Sequence, residues 1–182
     1  MKKMIIGAIV GGILIFAWQT ASWVALNLHD KGLAYTAKQD EILKSLATEG
    51  LPSGSYMLPR PAPGTPMDQH EAFMKNYEGK PWAKISYYPE WKVSMVANII
   101  RGLTTDIFLV FLLCWILSKF SPTSFRNYFT ATIFTGIIAF LNQPYTGHIW
   151  YPLHDLTAFL IDTIVAWGLC GVWLGWWFSR KK

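Results

Sequence analysis

Four apolar runs separate the polar stretches of the chain. They cover Met4 to Leu26, Ser94 to Ser118, Tyr128 to Leu141 and Leu156 to Phe178. A membrane-spanning helix needs about 20 residues, with a range of roughly 17 to 25. The first, second and fourth runs meet that length. The third is short and ends on Asn142, Gln143 and Pro144. It reaches spanning length only if Thr130, Thr132 and Thr135 face into a bundle and the helix continues to Gln143. The pattern predicts an all-α membrane protein, a four-helix transmembrane bundle. Its spans are expected over residues 1–26, 94–118, 128–143 and 156–178.

Lys and Arg in short loops and tails orient such a bundle. Lys2 and Lys3 precede the first run, Lys119 and Arg126 lie between the second and third, and Arg180, Lys181 and Lys182 follow the fourth. The segment between the third and fourth runs has no Lys or Arg. Both termini are therefore expected in the cytoplasm, with the loop 119–127 and the tail 179–182. Residues 27–93 and 144–155 are expected outside the cytoplasm. The long segment 27–93 carries eight basic and eight acidic residues, and such segments are translocated largely regardless of charge. A basic start and an apolar run also describe a signal peptide. The run is long for one, and Gln19-Thr20-Ala21-Ser22 makes a poor cleavage site, so residues 1–22 are expected to be retained.

Residues 27–93 read as a small α+β or irregular insertion. Thr36-Ala37-Lys38-Gln39 has the form of a capping box and introduces an amphipathic helix over residues 37–49, stopped by Gly50. Five prolines between Leu51 and Pro66 keep the next stretch extended or loop-like. Thr65-Pro66 suits a second helix start, with Gly79 as its end. Tyr56-Met57-Leu58 and Ile85-Ser86-Tyr87 alternate in a way that suits a short strand pair. A segment this small has a marginal core and is expected to lean on the bundle or on a partner.

Composition supports a membrane protein. The chain is 52% hydrophobic and only 15% charged, against about a quarter charged in ordinary soluble domains. Aromatic residues make up 16%, and Trp and Tyr favour membrane interfaces. The net charge of +5 gathers at span ends instead of forming a basic patch with interleaved aromatics, which argues against nucleic acid. Cys114 and Cys170 both fall in apolar runs, without C-x-x-C or metal-type spacing. They read as small buried apolar residues.

Two glycine pairs suggest how the helices meet. Gly7 and Gly11 in the first run, and Gly171 and Gly175 in the fourth, are each four residues apart. This spacing puts each pair on one face and lets backbones approach closely. In antiparallel helices Gly7 is level with Gly175 and Gly11 with Gly171, so the first and last spans are expected to touch there. A homodimer through either glycine face is the alternative.

Ionisable groups inside spans are costly and usually face a bundle interior, a partner or a cavity. At about 1.5 Å per residue, Gln19 lies about 22 Å from the inner end, Arg101 about 25 Å, Asp162 about 24 Å and Asp106 about 18 Å. Asn142 reaches a similar height, with His154 just above. Gln19, Arg101, Asp106, Asn142, His154 and Asp162 are therefore the candidate site residues, as ligand or ion-pair groups. Their structural reading is an Arg101–Asp162 ion pair, hydrogen-bonded to Gln19 and Asn142. Their functional reading is a binding or proton-handling site open to the outer side.

His29, His70, His148 and His154 all fall on the expected outer side. None belongs to an H-x-x-x-H or H-E-x-x-H pattern, and no metal and no cofactor is expected. No nucleophile elbow, Walker, Rossmann or haem-attachment pattern is present. The last span, from Leu160-Ile161-Asp162 through Trp167-Gly168 to Gly175-Trp176-Trp177, resembles the final helix of small four-helix bacterial membrane proteins of unknown function. The resemblance implies a bacterial inner-membrane location, multi-pass, and no activity. The expected role is a non-enzymatic accessory or structural subunit. It would contact the lipid bilayer and a protein partner, or a second copy through the outer segment or the glycine faces. A sensor or transporter using Arg101, Asp106 and Asp162 is the second reading. A membrane enzyme with His148 or His154 beside Asp155 or Asp162 is the third.

Overall fold

The computed structural model describes residues 1–119 and 124–180. Part of the expected loop 119–127, and Lys181 and Lys182 of the expected tail, lie outside the described residues. The described chain is mostly helical with one small sheet, and it divides into two compact units. One comprises residues 1–34 and 94–180 of the described chain; the other comprises residues 35–93.

The first unit is built from α1 (Lys2–Thr20), α4 (Met95–Leu117), α5 (Phe125–Phe140), the short α6 (Thr146–Trp150) and α7 (Leu156–Ser179). A π-helical turn, Ala21–Ala25, extends α1, and another, Leu141–Tyr145, joins α5 to α6. Three helical stretches are long and apolar enough to cross a membrane: Lys2–Ala25, Met95–Leu117 and Leu156–Ser179. The third run departs from expectation. Its α-helix has 16 residues, short of the spanning length. The chain does not stop at Asn142-Gln143-Pro144 either. Pro144 has no backbone N–H to give, and the helix accommodates it by widening into the π turn. It then resumes as α6.

In space the long helices run in the order α4, α1, α7, α5, with α4 and α5 barely touching. The core holds Ala8, Ile15, Val110, Leu113, Cys114, Trp167, Cys170 and Leu174. Both cysteines are buried and unbridged. α1 and α7 run antiparallel and in contact, but they do not pack glycine on glycine. A Cβ on Gly7 would meet Cys114 and Leu174, and one on Gly11 would meet Val110 and Cys170, so the α1 glycines serve α4 and α7 together. Gly171 and Gly175 instead lie against Phe129 and Phe125 of α5. The physical reason is side-chain size: the bulky residues of α7 that face α1 are tryptophans, and they bond where small residues expose backbone. Trp173 Nε1 donates to the Gly7 carbonyl at 3.0 Å and Trp177 Nε1 to the Lys3 carbonyl at 2.7 Å. Ser94 and Ser124 accept from Ala97 N and Asn127 N and so cap α4 and α5.

The second unit contains α2 (Gln39–Thr48), β1 (Gly54–Leu58), α3 (Met67–Tyr77) and β2 (Ala83–Tyr87). The strands pair antiparallel with Tyr56 opposite Ile85. Gly50 and Gly79 end the two helices in the left-handed region, at φ 64° and 75°. The capping box does not form. Thr36 Oγ1 accepts from Lys38 N within a turn, and α2 begins at Gln39 without a side-chain cap. Neither helix has a buried residue, which agrees with the limited core of so short a segment.

The closest approach of a glycine to another helix's backbone in the first unit lies at Gly12, where a Cβ would stand 2.6 Å from both the backbone N and the Cα of Ile107. Backbone cannot swing aside as a side-chain tip can. Gly12→Ala is expected to lower the unfolding free energy in detergent by about 1–3 kcal/mol, the usual cost of overpacking. Gly168, whose added Cβ would meet only Ile133 Cδ1 at 3.9 Å, serves as control. Gly168→Ala should unfold at the wild-type midpoint or slightly above it.

Candidate functional site

The polar centre of the first unit forms where the chain leaves α1. The π turn Ala21–Ala25 ends in a reversal at Asn27, which holds the left-handed φ of 50° that Asn tolerates better than most residues. Leu28 N returns to the Ser22 carbonyl at 3.0 Å, and Gly32 N to the His29 carbonyl at 2.8 Å. This fold-back lays His29 against the start of α7. His29 is 2% exposed. Its Nδ1 is 2.8 Å from Asp155 Oδ2 and its Nε2 is 2.9 Å from Asp162 Oδ2. Asp155 immediately precedes α7 and Asp162 lies two turns along it, so one ring bridges two carboxylates on one face. Trp18 Nε1 donates to the other oxygen of Asp162 at 3.0 Å.

Aromatic rings enclose the imidazole. Trp23 stacks on it at 4.0 Å with 3° between the planes, and Phe159 meets it edge-on at 4.7 Å. Two hydrogen bonds from a ring to two carboxylates need two protons. A neutral imidazole supplies one, so the second resides either on the ring or on a carboxyl. In both cases the cluster carries a net charge of −1. Burial opposes a charged ring, but the hydrogen bonds from Asp155 and Asp162, with their negative charges, outweigh it and raise the His29 pKa above its ordinary 6.5. A protonated ring also gains from stacking on the Trp23 face.

The expected site residues are only partly brought together. Asp162 is at the centre of the cluster. Gln19 is half-buried and is the polar side chain beside the buried Asp106, whose Oδ2 has no hydrogen-bond partner among the described residues. Arg101, Asn142 and His154 are exposed. The expected Arg101–Asp162 ion pair does not form: Asp162 is taken by His29 and Trp18. The reason is helical phase. Five residues separate Arg101 from Asp106, about 140° around the helix, so burying Asp106 turns Arg101 outward. The expected hydrogen-bonding of Asn142 to that pair fails with it. His148 Nδ1 accepts from Leu153 N at 2.9 Å and shapes the loop. Neither His148 nor His154 meets Asp155 or Asp162, which corrects the residue pairing of the enzyme reading.

Sequence reasoning missed His29 and Trp18 as partners of Asp162, and it set Asp155 beside His148 or His154 instead of beside His29. A signal was available: His29 stands three residues past the first apolar run, too close to its end to leave the bundle. Among the described residues no group of three His, Cys, Asp or Glu side chains is arranged to hold a metal ion. No protein-family model, curated protein or solved structure matches the chain.

Because folding raises the His29 pKa, the folded chain holds this proton more tightly than the unfolded one. The stabilisation is then fully present below the unfolded value of 6.5 and is lost as pH rises through the folded value. His29→Ala should lower the unfolding free energy by about 3 kcal/mol at about pH 6, because it leaves two carboxylates facing each other without a bridge. The gap between wild type and variant should narrow steadily toward about pH 9 in thermal unfolding by circular dichroism. A gap that widens with pH would contradict the assigned proton.

Gly32 gives a second, steric test. A Cβ there would lie 2.5 Å from Asp155 Oδ2 and 2.6 Å from Cγ. Gly32→Ala should loosen the same cluster and speed amide exchange at Leu28 and Gly32, by local opening, while exchange in residues 35–93 stays unchanged.

Proposed function

We propose that this chain is a small polytopic protein of the bacterial inner membrane that crosses four times, has both termini in the cytoplasm and serves as a non-enzymatic accessory or structural subunit. The Lys and Arg distribution supports the orientation. The fourth crossing is supported by the packing of α5 along α7 and by the helical path that continues from Phe125 through the π turn to Trp150. The observation that carries the non-catalytic reading is the saturation of the buried acid–base cluster. Both nitrogens of His29 are held by carboxylates, and a general base needs a nitrogen free to reach its substrate. A group bonded on both sides acts as a fastener between the end of α1 and the start of α7.

Topology is tested with single cysteines and a membrane-impermeant maleimide on intact cells; the native Cys114 and Cys170 are buried. Lys38→Cys and Gly147→Cys are expected to label from outside, and Lys2→Cys and Lys119→Cys only after permeabilisation. External labelling at Lys119→Cys would overturn the four-pass arrangement. The accessory role is tested by purification in mild detergent. A stoichiometric protein partner is expected, and it should be lost when residues 35–93 are replaced by a short linker. A chain that runs alone under every mild condition would sink the accessory reading.

A second reading, a small-molecule binder, is favoured by one observation. A cleft of about 610 Å³ adjoins the His29 cluster, with Gln19 and Asp162 in its wall.

A further inference from the structure

We infer that this cleft is a binding site for a single-chain membrane amphiphile with an uncharged, hydroxyl- or carbonyl-bearing head. The inference goes beyond the accessory role and uses only its premise that the long helices lie in a bilayer. The cleft exists because α4 and α5 barely touch while both flank the α1–α7 pair. Its volume of about 610 Å³ falls within the common range for small-molecule sites, about 300–1,000 Å³.

The walls are sorted by polarity. Ile15, Ala139, Phe140, Ala166 and Trp167 form the apolar part. Gln19, Thr20 and Gln143 lie toward the end of α1 that carries the His29 cluster, and Trp23, Phe159 and Asp162 of that cluster complete this polar end. The mouth is bordered by the exposed side chains of Met95, Ile99 and Ala139. An occupant therefore enters from the lipid side, with its chain along the apolar wall and its head at the polar end.

The head group follows from which polar groups are free. The Thr20 and Thr163 hydroxyls donate to carbonyls of their own helix. Asp162 uses both oxygens, toward Trp18 and His29. The side chain of Gln143 makes no hydrogen bond among the described residues. Gln143 is thus the free group that faces a head, with Gln19, already hydrogen-bonded to Asp106, beside it; a primary amide both donates and accepts, as a hydroxyl or carbonyl requires. The net charge of −1 on the adjoining cluster disfavours an anionic head. A protein helix is a poor occupant: at about 10 Å across it fills about 120 Å³ per residue of rise, so the cleft would take only about five residues.

The test uses the full-length protein in nanodiscs and photoactivatable monoacylglycerol, with a fatty acid and an alkylamine of equal chain length for comparison. Labelled residues are mapped by mass spectrometry. The monoacylglycerol is expected to label α1 and α5 residues of the cleft and to be displaced by unlabelled monoacylglycerol. Ala139→Trp, an exposed position that fills the cleft, should abolish this labelling while leaving the thermal midpoint unchanged. Gln143→Leu should weaken displacement about fivefold, the size of one lost hydrogen bond. If Ala139→Trp unfolds the chain, Gln143→Leu alone carries the test. Labelling spread evenly over the lipid-facing helices, stronger labelling by either charged analogue, or displacement by a second protein chain would each overturn the assignment.

Discussion

Polar groups placed among apolar helices are costly unless they find partners within the chain, and the α1–α7 seam is where this constraint shapes the bundle. Three indole N–H groups cross it. Trp177 and Trp173 donate from α7 to the Lys3 and Gly7 carbonyls of α1, and Trp18 donates from α1 to Asp162 of α7. Each indole replaces a hydrogen bond that water would otherwise supply. Because the donors are side chains of fixed length, the two helices are set at one distance and one vertical register. α4 and α5 then pack on opposite flanks of the pair. The cleft between them follows from that order: two helices placed on either side of a seam do not close on each other.

The His29 cluster closes the same seam at its Trp18 end by a different device. Helices joined only by apolar contact could slide by small steps, whereas a ring bridging two carboxylates admits one register. Buried ionic groups are a weak source of net stability against an apolar core, and their better-attested use is to specify arrangement. Here the arrangement specified is the return of residues 26–32 onto the bundle. It joins the end of α1 to the start of α7 across a sequence separation that chain entropy would otherwise keep open.

Much of this was legible in the sequence where a single periodic signal governed the outcome. The spans at both ends and the second run follow from apolar length alone. The strand pair follows from alternation, and the stops at Gly50 and Gly79 from the left-handed conformation glycine accepts. The third run is legible only as far as Gln143, because Pro144 reads as a stop by local rules, while the π turn absorbs it. The glycine pairs were placed at matching heights, but height does not fix azimuth. Gly171 and Gly175 face α5, since the tryptophans of α7 already occupy the α1 side. The candidate site was legible by depth and illegible by partner. Asp162 and Gln19 were found as polar residues in apolar runs. His29 lies outside any run, and only the reversal at Asn27 brings it back. No pattern in sequence spacing reports a contact between residues 29 and 155.

The cluster and the cleft share Trp23, Phe159 and Asp162, and this overlap makes the structural and binding readings compatible. A residue that fastens a bundle and also lines a cavity serves both roles at no conflict, because fastening fixes the wall that a ligand meets. Preorganised walls reduce the ordering cost of binding. The enzyme reading lacks this compatibility. Catalysis would ask His29 to exchange a proton with a substrate while both its nitrogens hold the bundle end together, so each turnover would break the contact that positions the site.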